Sequence, residues 1–305
     1  MLNIKNNMIQ KNKEGKTGFR LLDIVVKKLR KTKIHKKIPF VKQIYQKLWK
    51  FVYNLSQPKR GLSLIKVQGN NMYVNMADKG LTPALVTMGV YEPTETKLFK
   101  KIVKEGMVVL DLGANIGYYT LIAARIVGGK GKVYAFEPES DNYKLLLKNI
   151  EVNGFNNVIP IQKAATNNNG KIDFFKNNVN FGSHSICNLE NTEKTTVDTV
   201  KIDDFLNEKV DVIKMDIEGG EFLALEGMKK VIEKSKEVTL FTEFNPTLIK
   251  NTNKDPNEFI AILKRAGFEI FFINTETEEL EGLNMAKIFE KHKSGMTINL
   301  LCKKK

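Results

Sequence analysis

The sequence predicts an α/β protein built on a doubly wound, mostly parallel sheet. Three observations carry that prediction. From residue 106 onward, short apolar runs alternate with amphipathic segments. The first run, Met107–Leu112, closes on a glycine loop, Asp111-Leu112-Gly113-Ala114-Asn115-Ile116-Gly117. The second, Lys132–Phe136, ends on an acid, Glu137-Pro138.

The elements follow in order. Residues 1–18 are polar and Lys/Asn-rich, a composition that predicts disorder. Residues 19–31 and 39–56 have helical spacing; in the second, Val41, Ile44, Tyr45, Leu48, Val52 and Leu55 form one stripe. Residues 61–76 read as a hairpin turning at Gly69-Asn70-Asn71. Leu81–Val90 and Thr94–Lys104 predict helices that lead into the core. Beyond the glycine loop come a helix at Tyr118–Val127, an amphipathic helix through Tyr143, Leu146, Leu147 and Ile150, and short strands at Val158–Gln162 and Lys171–Phe175. Asp203–Leu206 and Glu221–Ile232 predict helices around a buried strand, Val210–Met215. A strand at Val238–Glu243, a helix at Asn257–Ala266 and a strand at Glu269–Ile273 follow. An irregular link then leads to a last strand, Met296–Cys302, able to pair antiparallel with its predecessor at one sheet edge. The expected organisation is an arm, residues 1–60, and a main domain, residues 61–305.

Charge separates the two parts. Residues 1–60 carry 17 Lys/Arg against Glu14 and Asp23, which equals the whole net charge of +15. The remainder is neutral, so the basic pI describes the arm alone. Three readings of the arm stay open: a solvated charge run, docking of residues 19–56 on an anionic membrane surface through Tyr45, Trp49 and Phe51, and nucleic-acid binding. Cys187 and Cys302 are too few and too far apart for a disulfide framework. No secretory h-region follows Met1 and no apolar run approaches 18 residues. Together these predict a cytoplasmic protein, with peripheral contact at the inner membrane face as a variant. The oligomeric state is not legible.

The loop at residues 111–117 lacks the middle glycine of a dinucleotide fingerprint and carries an acid at the strand end. A carboxylate there repels a pyrophosphate and attracts a ligand with an ammonium and a sulfonium, as S-adenosylmethionine has. Glu137, ending the next strand, stands where an acid accepts ribose hydroxyls. The plainer alternative is that both acids cap the following helices.

Val109–Thr120, Val133–Glu139 and Asp211–Glu221, with Gly89–Glu92 and Thr242–Pro246, resemble the FkbM-type methyltransferases. The resemblance runs over roughly residues 61–305; Met215 and Gly220 depart from the usual residues. It implies a class I methyltransferase (Rossmann-like) fold with a seven-stranded sheet, S-adenosylmethionine as cofactor, and O-methylation of a sugar, glycan or related metabolite. The rival is an RNA methyltransferase whose arm holds the nucleic acid. An Asn-Pro-Pro-Tyr-type motif for base methylation is absent, since Asn245-Pro246-Thr247 lacks the aromatic. A cofactor-binding scaffold without activity is a further alternative.

Candidate cofactor contacts are Tyr91, Glu92, Asp111, Gly113, Asn115, Gly117, Glu137, Ala164 and Asp216. Candidate catalytic residues are His184, Asp216 and Glu218. Two mechanisms compete for the acceptor proton: His184 as general base, in a Gly/Ser-rich loop at residues 181–185, or Mg²⁺ held by Asp216, Glu243 and Asn245. His35 and His292 have no constellation around them.

Overall fold

The computed structural model describes residues 61–293 and 297–304. The arm, with its predicted disorder, helices and partners, lies outside the described residues. Residues 62–305 form one compact unit.

The chain opens with a hairpin, β1 (Leu62–Val67) and β2 (Asn70–Asn75), paired in full register from Leu62↔Asn75 to Val67↔Asn70. The turn is Gln68-Gly69, one position earlier than expected, with both residues at positive φ as a two-residue hairpin requires. Helices α1 (Leu81–Met88) and α2 (Pro93–Ile102) follow. Pro93 opens α2 at a position where its missing N–H costs nothing. Strand β3 (Val108–Leu112), helix α3 (Tyr118–Val127), strand β4 (Lys132–Phe136), helix α4 (Ser140–Val152) and strand β5 (Val158–Ile161) match the expected order.

Next come β6 (Ala164–Thr166), β7 (Gly170–Asn177) and β8 (Thr192–Lys201), a separate three-stranded sheet in the order β6-β8-β7. Short α5 (Ile202–Phe205) precedes β9 (Val212–Met215). The helix expected over residues 221–232 is two pieces, α6 (Glu221–Gly227) and α7 (Lys229–Lys234), joined at fully buried Met228. Strand β10 (Val238–Glu243), helices α8 (Pro246–Asn251) and α9 (Pro256–Arg265), strands β11 (Phe268–Asn274) and β12 (Glu279–Gly282), helix α10 (Met285–Lys293) and strand β13 (Asn299–Lys304) complete the chain.

The main sheet has the order β12-β11-β13-β10-β9-β3-β4-β5. Strands β5, β4, β3, β9 and β10 are parallel; β13 runs antiparallel to both β10 and β11. This is the doubly wound arrangement expected, with eight strands instead of seven. The eighth, β12, folds back on β11 from Phe271↔Gly282 to Asn274↔Glu279, inside the stretch expected to be an irregular link. Strand β13 pairs with β11 as predicted but lies between β11 and β10, so the edge belongs to β12.

Strand order reverses at β3. The chain winds outward through β4 and β5, then returns to place β9 on the other flank of β3. Loops diverge at such a switch point and leave a crevice at the carboxyl ends of the strands. Central strands β3, β9 and β10 are buried along nearly their whole length, and Leu110, Ile213 and Leu240 are wholly buried in one apolar core. The strand ends are therefore fixed, and what they carry is held in place.

Candidate functional site

The glycine loop follows β3 and is locked to its neighbours on both sides. Backbone amides of Gly113 and Ala114 donate to the Phe136 carbonyl at the end of β4, both at 2.9 Å. On the other side the Asp216 amide donates to the Leu112 carbonyl at 3.0 Å. Gly113 has φ +84°, and a Cβ there would lie 2.0 Å from the Asp216 carbonyl oxygen. Only glycine permits the two loops to touch at the switch point. Gly117 serves packing instead: a Cβ would meet the Leu146 side chain of α4 at 2.8 Å.

The acids of the β3–β4 rim are held by protein donors. Asp111 accepts from the Thr120 hydroxyl at 2.5 Å. Burial pushes Asp111 up to about 6 against that bond. Glu137 accepts the Asn115 amide on one oxygen and the Glu139 amide on the other, each at 2.8 Å. Burial raises Glu137 to about 8, although both amide bonds favour its ionised form. Asn115 has φ +50° and donates its side-chain amide to the Phe181 carbonyl. Asn142 donates to the same carbonyl, and Asp78 accepts the Phe181 amide. The 181–185 loop is thereby pinned over the glycine loop.

One cleft is lined by Gly113, Asn115, Glu137, Ala164, His184, Asp216 and Glu218, so most of the expected residues share it. A second, adjoining hollow is lined by Tyr91, Asp111, Gly113, Asn115, Lys214 and Asp216. Glu92 lines neither; its two oxygens accept from the Tyr119 hydroxyl and the Asn299 amide, each at 2.9 Å. Glu92 ties β13 to α3.

The β9–β10 rim differs. Asp216, Glu218 and Glu243 converge, with one oxygen of each within 4.8 Å of the others. Asn245 is not among them. Its side-chain oxygen accepts the Thr247 and Leu248 amides, both at 3.2 Å, and caps α8. The Asn-Pro pair is itself a helix-start signature, so this role was readable. Glu218 takes its place. Glu221 clamps the intervening turn by accepting the Ile217 and Gly219 amides.

Lys214 and Glu95 were missed from the sequence. Lys214 projects from β9 and is 1% exposed. Its ammonium lies 3.0 Å from Glu95 and 3.1 Å from Asp216, over the Tyr119 ring. Burial works against that charge, but Asp216 and Glu95 outweigh it and hold the lysine well above its ordinary pKa. Burial in turn pushes Glu95 up to about 8 against the pull of Lys214. The visible signal was a lone lysine inside an apolar strand two residues before a strand-end acid.

His184 Nδ1 accepts the Asn177 amide at 3.0 Å. A neutral ring with that lone pair occupied carries its proton on Nε2 and is a donor. Burial lowers its pKa, which favours this neutral form. The geometry is against His184 as a general base. His292 bonds the Thr247 hydroxyl through Nε2, and Cys187 and Cys302 are buried free thiols.

A family profile described as "Methyltransferase FkbM domain" matches residues 111–270. The chain is similar to hexuronic acid methyltransferase AglP of Haloferax volcanii, 29% identical over 143 residues, covering 45% of this chain and 56% of that protein. It is similar to ribosomal RNA large subunit methyltransferase E of Chromobacterium violaceum, 34% identical over 83 residues, covering 27% of this chain and 39% of that one. The chain thus spans about half or less of these curated relatives. A solved structure of methyltransferase FkbM from Methylobacillus flagellatus aligns over 72% of this chain and 53% of that chain, with 18% identity and a TM-score of 0.41.

Proposed function

This chain belongs to the FkbM methyltransferase family, whose members use S-adenosylmethionine on a class I fold, and on that premise we propose that it methylates a hydroxyl oxygen of a sugar or glycan. The observation that carries the reading is the meeting of two rims at Gly113: a nucleoside rim at Asp111 and Glu137, and an acidic rim at Asp216 and Glu218. The ribose hydroxyls of the donor pair with Glu137. Its ammonium and sulfonium lie toward Asp111 and Asp216. The acceptor enters between Asp216 and Glu218, on the side covered by His184.

Transfer is an in-line displacement, so positioning supplies much of the rate. The S–CH₃ bond breaks as the O–CH₃ bond forms, the sulfonium becomes a neutral thioether, and the hydroxyl proton leaves along the partly exposed Asp216 and Glu218 carboxylates to solvent. The sugar acceptor is favoured by the relative that methylates a hexuronic acid. No helix among the described residues is long and apolar enough to cross a membrane. The +15 charge of residues 1–60 suits an anionic membrane surface bearing a lipid-linked glycan. The rival reading, RNA methylation, draws on the same charge and on the ribosomal RNA methyltransferase relative.

The test is transfer of labelled methyl from S-adenosylmethionine into a fractionated cell extract. Label in base-stable glycan or glycolipid supports the reading, and label confined to RNA replaces it with the rival. Calorimetry tests the cofactor separately: a folded Glu137→Ala chain that binds S-adenosylmethionine with unchanged affinity overturns the assigned site.

A further inference from the structure

We propose that Asp216, Glu218 and Glu243 together bind one hard divalent cation. Three observations converge. First, one oxygen from each carboxylate lies within 4.8 Å of the other two. Oxygens bound to a single ion at the usual 2.3–2.6 Å for a calcium-sized cation stand at most about 5 Å apart, and magnesium draws them closer. Second, Glu243 is 9% exposed, and no hydrogen bond or ion pair reaches its carboxylate among the described residues. A carboxylate taken out of water without a donor is costly. This one is aimed at two further carboxylates. Third, the charge leaves room for a divalent ion. Lys214 brings one ammonium to Asp216 and shares it with Glu95. Ionised, as a bound cation would hold them, Asp216, Glu218 and Glu243 exceed that single ammonium by two negative charges before Glu95 is counted. One divalent cation matches that surplus.

All three donors are carboxylate oxygens, which select Mg²⁺, Ca²⁺ or Mn²⁺ over softer metals. The ligands come from two rigid origins. Glu243 ends β10 and Asp216 follows β9; these strands pair in parallel through Thr242↔Met215. Glu218 is reached through the turn clamped by Glu221. Ser185 donates to the Glu218 carbonyl at 2.5 Å and fixes that turn from the opposite side. With three protein ligands, an octahedral ion keeps open positions for water or an acceptor oxygen. The inference deepens the proposed function, since a cation there lowers the pKa of a bound hydroxyl.

The experiment uses the full chain and Mn²⁺ as a paramagnetic probe, followed by water-proton relaxation with no cofactor or acceptor present. One site per chain is expected, displaced by Mg²⁺. Glu243→Gln is expected to weaken Mn²⁺ binding at least tenfold while leaving S-adenosylmethionine affinity within about threefold. Should Glu243→Gln not fold, Glu218→Gln at the turn is expected to weaken Mn²⁺ binding to the same extent. Absence of saturable Mn²⁺ binding, or equal binding in a folded variant, overturns the proposal. A parent chain that binds Mn²⁺ saturably but shows no S-adenosylmethionine binding would instead sink the cofactor site and leave the cation site standing.

Discussion

Along the β3–β4 rim, Glu137 gives one oxygen to each of two backbone amides and Asp111 gives one to the Thr120 hydroxyl. Across the switch point, on the β9–β10 rim, Asp216 shares one lysine with Glu95, and the Glu243 carboxylate has no donor among the described residues. The first rim is preorganised by dipoles and suits neutral hydroxyls, which need only an aligned acceptor. The second gathers three carboxylates around one ammonium, an arrangement that suits something positive. A methyl donor bearing a sulfonium and an acceptor that must shed a proton ask for these two environments side by side. Gly113 joins them, because a side chain there would collide with the Asp216 carbonyl.

The largest effect expected from breaking this contrast comes from Lys214→Met. The substitution keeps volume but removes the ammonium that Glu95 and Asp216 share, and both Lys214 and Glu95 are almost wholly buried. Stranding one partner of a buried pair costs about 3–5 kcal/mol. Urea unfolding should register a loss of that order. Adding Glu95→Gln should recover part of it, because the orphaned charge is gone. A single variant as stable as the parent would mean that Lys214 is not what holds the acidic rim together.

How far all this was legible depends on what each residue leaves in the sequence. Asp111 and Glu137 were readable because glycine or proline punctuates an apolar strand next to an acid, a local signal. The pairing of Glu95 with Lys214 is not local: one sits on α2 and the other on β9, and only the fold brings them together. Strand β8 escaped notice because its sequence, Thr192–Lys201, is largely exposed and threonine-rich, and it pairs chiefly with a neighbouring polar strand. Strand β12 is four residues without an apolar face, and β11 is the strand it pairs with. Asn245 misled for the opposite reason. Its position after β10 looked like a ligand site, while the following proline marked a helix cap.

A second effect, of moderate size, sharpens the nucleoside rim. Burial holds Glu137 at about 8, further raised by Glu139 and Asp111 and opposed by its two amide bonds. In the proposed site the ribose hydroxyls would donate to the ionised carboxylate, so affinity should climb as pH rises through that value. With an ionised fraction near one tenth at pH 7 and nine tenths at pH 9, the gain is about tenfold. The probe is 5′-methylthioadenosine, which carries the ribose without an ammonium of its own, measured by calorimetry. Glu137→Gln should bind more weakly above pH 8 and show no such slope. A slope that survives the substitution would move the titrating group elsewhere on the rim.

The smallest effect belongs to His184, which closes the cleft between the two rims. Its Nδ1 already accepts the Asn177 amide, and Phe174 and Phe181 stand beside the ring. The proton therefore sits on Nε2, and the ring offers a donor to whatever the cleft holds. A general base removed from a proton-transfer step costs about 10²–10⁴ in rate. A lost hydrogen-bond donor that glutamine can partly replace costs far less. His184→Gln should lower the rate of methyl transfer by less than about tenfold, an energy of at most about 1.4 kcal/mol. It should also leave the pH–rate profile in place, because a histidine that stays neutral contributes no titration to it. A thousandfold loss together with disappearance of one limb of that profile would require the Asn177 bond to open when the acceptor binds, and would make His184 the base after all.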